Sequence, residues 1–326
     1  MSVKPSSAGY VRAVVLLFCT VVGAALLLIA CGESDPQESA SPSETASPLS
    51  DEVSSLELPV QVAVTLPLFE DFVREAAGDA AEVISLVPAG ADPTTYSLTP
   101  ADLDRLSGID FFYVNGLALD DHLLELIESN RDERARVIPF SPNIRSPEGS
   151  GQTAAQAADE AHLWLDPSLA SVYVEIVADE FNIYDNVNRS TYNSLFSAFR
   201  ERMRDLVLEL EQTLSAIPEG RRLLVTENDD LTHLARRFGF EVVATADQQA
   251  GGAEETVQSL AQIVRSEGVP AVFAFRGHDP TLMNDVAVAA GVPLCALYTD
   301  IIDESVSGYE DMMRANATEL LTCLGQ

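Results

Sequence analysis

Basic charge is what this chain has least of: 19 Lys plus Arg stand against 51 Asp plus Glu in 326 residues, a formal net charge of −32, and Lys4 is the single lysine. A duplex nucleic acid would be bound against strong like-charge repulsion, so nucleic-acid binding is excluded. Catalytic signatures are missing too. The sequence holds no G-x-S-x-G elbow, no phosphate loop, no H-E-x-x-H helix and no paired-cysteine ligand motif. The chemistry those arrangements support is therefore not expected, and the chain does not read as an enzyme. Apolar residues, by contrast, make up 47%, enough to bury a sizeable core, and the length suits about two domains.

The N-terminus reads as an address. Lys4 and Arg12 precede an uncharged apolar run over 13–30 that ends in Leu28-Ile29-Ala30-Cys31, the order of a secretory signal with a lipoprotein cleavage box. Residues 1–30 are then a signal peptide and Cys31 the lipidated first residue; an uncleaved transmembrane anchor is the alternative, since the run just reaches spanning length. Either way the remainder lies outside the cytoplasm. Residues 31–57 are rich in Ser, Glu and Pro with few apolar side chains, which reads as a disordered tether. Of the four cysteines, Cys19 leaves with the signal and Cys31 takes the lipid. Cys295 and Cys323 remain, either paired in an oxidising compartment or buried as thiols.

From residue 58 onward short β-rich runs alternate with amphipathic stretches, the pattern of parallel sheets covered by helices. Strands are predicted at 60–66, 82–87, 110–115 and 136–139, and again at 222–226, 241–245, 271–276 and 293–298. Helices are predicted at 68–77, 100–106, 120–129, 230–238, 256–267, 280–290 and 309–324. Between the two series, 190–217 runs without Gly or Pro, with Leu195, Phe199, Met203, Leu206, Leu210 and Leu214 at helical spacing. The fold class is thus α/β: two βα-repeat, Rossmann-like lobes with parallel sheets, an N-terminal lobe at 58–188 and a C-terminal lobe at 218–326, joined by one long helix at 189–217. The Gly149-Ser150-Gly151 patch reads as a surface loop in the first lobe.

Three segments carry a resemblance. Gly90-Ala91-Asp92-Pro93-Thr94-Thr95-Tyr96, running into Thr99-Pro100-Ala101-Asp102, is similar to a G-A-D-P-H-x-Y…T-P-x-D motif. His162-Leu163-Trp164-Leu165-Asp166-Pro167 is similar to H-x-W-L-D-P, and Leu297-Tyr298-Thr299-Asp300 to a C-terminal aspartate segment. Together they resemble the solute-binding lipoproteins of zinc and manganese ABC importers, receptors with a helical backbone between their lobes. The resemblance implies a monomeric, lipid-anchored extracytoplasmic protein that captures a divalent metal, zinc or manganese, in the interlobe cleft and passes it to an ABC permease.

By the same resemblance His162 and Asp300 are metal ligands. The family's first histidine position holds Thr94 here, and the third falls on Asn228 with Glu227 beside it. The expected metal shell is completed either by Glu227 as third ligand with Asn228, Thr94 or water, or by His122, near the end of the 110–115 strand, as a substitute imidazole. Each residue also has a purely structural alternative: a packed histidine for His162, a turn cap for Asp300, helix caps for Glu227 and Asn228. In open α/β sheets ligands bind beyond the carboxyl ends of the strands, and those ends carry Asp92 and Thr94, Asn115 and Asp120, Glu227 and Asn228, Arg276 and His278, and Asp300. The acidic pairs Asp120-Asp121 and Asp229-Asp230 read as solvated helix starts. Arg276 would repel a bare cation, so the alternative function is a degenerate receptor for an anion or a metal chelate, or a surface interaction or sensing module without metal transport.

Overall fold

The computed structural model describes residues 58–141 and 161–326. Cys31, the signal, the tether and the Gly149-Ser150-Gly151 patch lie outside the described residues. β1 (Val60–Val64), β2 (Ala81–Ser85), β3 (Phe111–Val114) and β4 (Arg136–Pro139) form a parallel sheet in the order β2-β1-β3-β4. Helices α1 (Pro67–Ala77), α2 (Pro100–Arg105) and α3 (Asp121–Asn130) connect them.

After residue 161 come α4 (Pro167–Tyr184) and α5 (Arg189–Leu214), and then the second series. It consists of β5 (Leu223–Thr226), α6 (Thr232–Phe238), β6 (Glu241–Thr245), α7 (Ala253–Glu267), β7 (Val272–Phe275), α8 (Thr281–Ala290), β8 (Leu294–Leu297) and α9 (Tyr309–Leu324). β5 pairs with β6 and β7 with β8, both in parallel, while β5 lies beside β7. The second lobe thus repeats the neighbour pattern of the first. In both, the chain reverses direction of travel between the first and third strands, and a ligand crevice opens at the carboxyl ends of such a pair.

All eight predicted strands are present, and α5 occupies the predicted spine with Phe199, Met203, Leu206, Leu210 and Leu214 buried. The helix α4 was not anticipated from the sequence. Its first turn is set by Asp166, whose side chain accepts from Ser168 N at 2.8 Å, and by Pro167 at the first helical position. Its buried face is broad, with Leu169, Tyr173, Val174, Val177 and Phe181, and the outer face opposite mixes Ser168, Glu175 and Asp179 with the apolar Val172 and Ile183, so the polar stripe by which an amphipathic helix announces itself is diluted. It packs along α5, and the spine is accordingly two helices thick.

One apolar core runs through this layer. It joins Val62, Phe69 and Phe72 of the first lobe, Tyr173, Phe199 and Met203 of the spine, and Leu224, Phe273 and Tyr309 of the second lobe. Polar links reinforce it. Asp71 on α1 accepts from Tyr309 N at the start of α9 (2.9 Å), and Arg202 on α5 reaches Glu75 at 2.6 Å and Glu310 at 3.0 Å. These contacts pin the two lobes to the spine from both sides, which favours small adjustments over wide hinge opening.

Cys295 on β8 and Cys323 on α9 form a disulfide that closes a span of 28 residues. Cross-linking such a loop removes conformational freedom from the unfolded chain, a contribution of about 3.5 kcal/mol in the chain-entropy account. The double change Cys295→Ala, Cys323→Ala is therefore expected to lower the unfolding free energy read from urea melts by that amount, and the parent under reducing agent is expected to match it. A variant as stable as the oxidised parent would show that the bridge does not form.

Candidate metal centre

Motif by motif, most of the residues in these segments are scaffolding. In the first loop Asp92 is the organiser: its Oδ1 accepts from Thr94 N (2.8 Å) and Thr94 Oγ1 (2.6 Å), and its Oδ2 from Thr95 Oγ1. Thr99 and Asp102 form a reciprocal capping box on α2, joined by the Tyr96 hydroxyl. Thr94 is exposed, and its hydroxyl and amide are both spent on Asp92. His122, the expected substitute imidazole, is exposed and its Nε2 lies 3.1 Å from Tyr96 O, so the structure sets it in the same surface loop system rather than among the buried donors.

The end of β3 shows why His162 sits where it does. Asn115 is fully buried; its Nδ2 donates to Ala161 O at 2.9 Å, and its Oδ1 accepts from Tyr173. Asp120, expected as a solvated helix start, is instead 1% exposed and accepts from Thr65 Oγ1, Asn115 N and Gly116 N. Burial raises its pKa, and those hydrogen bonds oppose the shift. Asn115 and Asp120 are thus structural, and their product is a fixed anchor for residue 161.

Trp164 then ties this segment to the other lobe. Its indole Nε1 donates to Thr299 O at 2.9 Å, and its own carbonyl accepts from the Tyr309 hydroxyl at 2.7 Å. Its ring is wholly buried, edge-on to Phe69 and 5.0 Å from the imidazole of His162. One residue thereby places His162 and Asp300, one on each side of the cleft.

Around Asp300 the side chains converge. Asp300 is 1% and His162 6% exposed. His162 Nδ1 lies 3.3 Å from Asp230 Oδ1, while its Nε2 faces Asp300 Oδ2 at 3.9 Å, beyond hydrogen-bond reach, and is buried without a hydrogen-bond partner. His278 faces the other oxygen: Nε2 is 3.3 Å from Asp300 Oδ1, and Nδ1 is 3.3 Å from Glu227 Oε2. Glu227 Oε1 in turn accepts from Phe275 N at the end of β7.

Electrostatics follow from this geometry. The hydrogen bond to Asp300, with that to Glu227, pushes the His278 pKa up to about 10 against the opposing effect of burial. Burial alone would lower that of His162, but the Asp230 and Asp300 carboxylates outweigh it and the value is raised. Burial would raise Asp300, yet the two imidazoles hold it well below the usual carboxylate range. Asp230 is raised, by burial first, with Asp300 adding and His162 opposing.

Asn228 does not join these side chains. Its Oδ1 accepts from Asp230 N at 3.0 Å, a local turn that aims Asp230 at His162. Asp230, expected as a solvated helix start, is therefore part of the centre. His278 was placed at a strand end by the sequence, with no role attached; what brings it to Asp300 is Gly277, whose φ of +87° and contact with Ile301, 2.7 Å from where a Cβ would stand, allow the loop after β7 to lie against the 299–301 segment. Arg276 carries its guanidinium 4.8 Å over the Tyr298 ring, so its charge is stacked on Tyr298. Among the described residues, one set of three His, Cys, Asp or Glu donors already lies within 4.8 Å of one another, Cys295, Glu319 and Cys323. Its sulfurs are spent on the disulfide. No described helix is long and apolar enough to cross a membrane.

Comparison with known proteins agrees with this architecture. The sequence model of the family "zinc-uptake complex component A periplasmic" (ZnuA) matches residues 62–323. The manganese-binding lipoprotein MntA of Halalkalibacterium halodurans is 26% identical over 275 residues, 82% of this chain and 89% of the relative. The iron-binding protein YfeA of Yersinia pestis is 29% identical over 221 residues, covering 66% of this chain and 68% of the relative. Among solved structures, the periplasmic zinc-binding protein TroA of Treponema pallidum superposes with a TM-score of 0.72 at 22% identity, covering 82% of this chain and 99% of that one. At that identity the likeness establishes the two-lobe fold. The family match spans most of the chain, and the protein belongs to the ZnuA family, the solute-binding receptors of metal ABC importers, which are not enzymes.

Proposed function

We propose that this protein is the lipid-anchored receptor of an ABC importer, capturing zinc or manganese between its lobes and presenting it to the permease. The observation that carries this reading is the buried, unpartnered Nε2 of His162 aimed at the Asp300 carboxylate. A buried nitrogen without a partner is costly in a satisfied core and suits a nitrogen that a metal ion uses. The surrounding carboxylates, Glu227, Asp230 and Asp300, favour a cation over an anion. Arg276, the one feature that suggested an anionic cargo, is stacked on Tyr298. Imidazole and carboxylate donors suit borderline and hard divalent ions such as zinc and manganese. The Leu28-Ile29-Ala30-Cys31 sequence supports attachment through a lipid on Cys31.

An ion that binds the folded protein alone raises its apparent stability by mass action, by about 2.7 kcal/mol at a hundredfold excess over Kd. Chelator-stripped protein is expected to melt at a higher temperature with zinc or manganese than without. Absence of a shift with every first-row divalent ion would overturn the reading.

A further inference from the structure

With Thr94 where the resemblance expects an imidazole, the cleft is one ring short, and the structure presents a second ring elsewhere. His278 comes from the loop after β7, outside the three motifs. It is presented to the centre in the same way as His162. Each ring has a carboxylate behind it, Asp230 at 3.3 Å from Nδ1 of His162 and Glu227 at 3.3 Å from Nδ1 of His278. Each turns its Nε2 to Asp300, one to each oxygen. A carboxylate on one ring nitrogen fixes the tautomer and orientation that leave the other nitrogen as the donor, the usual support of a metal-bound histidine. Glu227 is itself held by Phe275 N at 3.1 Å, so this support is anchored to the end of a strand.

We propose that His278 ligates the captured ion through Nε2, in place of the imidazole lacking at Thr94, completing a set of two imidazoles and one carboxylate with His162 and Asp300. The assignment rests on the metal-capture reading above. Asp230 and Glu227 are positioning residues, acting through the rings they hold. His162 and His278 approach opposite oxygens of Asp300, and the three residues do not all bring donor atoms within 4.8 Å of one another. Donors around a zinc ion at about 2.0–2.1 Å lie closer together than that, and closer than the 3.9 Å between His162 Nε2 and Asp300 Oδ2, so binding draws both rings inward onto the ion. Three protein donors leave the remaining position to water, and the set accepts zinc, manganese or iron(II) without the third imidazole of a closed site.

The test uses the full chain in detergent, stripped with chelator and titrated with zinc chloride and with manganese chloride by calorimetry. Relative to the parent, His278→Ala is expected to weaken zinc binding by about 100-fold or more, and Glu227→Gln by about 10–100-fold. Thr94→Ala is expected to leave it unchanged, and His162→Ala to abolish it. Zinc-edge X-ray absorption of the loaded parent, which needs no variant to fold, is expected to count two imidazoles. If His278→Ala binds as tightly as the parent while His162→Ala does not bind, or if the absorption counts one imidazole, the assignment of His278 is overturned and metal capture stands. If the parent binds neither ion, both are overturned.

Discussion

Replacing Trp164 by alanine is expected to destabilise the protein by about 3–5 kcal/mol and to remove most of its response to metal at the same time. The indole is wholly buried against Phe69 and Tyr173, so truncation leaves a large void in the core shared by both lobes. It also deletes the Nε1 donor to Thr299 O, the carbonyl next to Asp300. Trp164→Phe separates the two effects. It keeps much of the volume and loses the N–H, leaving a buried carbonyl unpaired at a cost of about 1–3 kcal/mol. Urea unfolding followed by circular dichroism gives the stability change, and thermal shift with zinc gives the metal response. A Trp164→Phe variant with parental stability would show that the bond to Thr299 does not hold the lobes together.

The legibility of this protein in its sequence was uneven for physical reasons. Strands were readable because parallel strands buried on both faces are short apolar runs, as at Phe111-Phe112-Tyr113-Val114, where all four residues are buried. The long helix was readable from its one-sided stripe, whereas α4, with Val172 and Ile183 interrupting its outer polar face, carried a weaker contrast between its two sides. In the centre, His162 and Asp300 were marked by their motifs. Asp230 and His278 were not, because their roles arise from loop geometry: an Asn228 turn that aims the first, and a glycine with positive φ that lets the second approach. The strand-end rule had already placed His278 on the rim of the cleft. What it could not supply was the distance to Asp300, which depends on β7 and β8 being neighbours. Thr94 illustrates the converse, a residue at a ligand position whose hydroxyl is held by the Asp92 turn beside it.

Asp300→Asn is expected to have the largest effect on capture, since it removes the one carboxylate that both Nε2 atoms face. Zinc binding should fall by about 100-fold or more, because the neutral amide is a weak ligand in place of a carboxylate. The metal-stripped protein should suffer as well, and in a pH-dependent way. Removing one partner of a buried charge cluster costs about 3–5 kcal/mol, since the imidazoles lose the anion that compensates them. The sign of the pH dependence follows from the shifts. His278 is raised from 6.5 to about 10, so the stability it draws from Asp300 is fully present below pH 6.5 and is lost as pH rises through about 10. Asp300 is lowered from 3.8, so its contribution is present above that value and is lost in acid as the carboxyl protonates. The gap between parent and variant should therefore be widest between about pH 4 and 6.5 and close toward high pH. Urea melts of both proteins at about pH 6 and about pH 10 measure it. An equal gap at the two pH values would mean that Asp300 supports the fold by shape and hydrogen bonding, with no contribution from charged imidazoles.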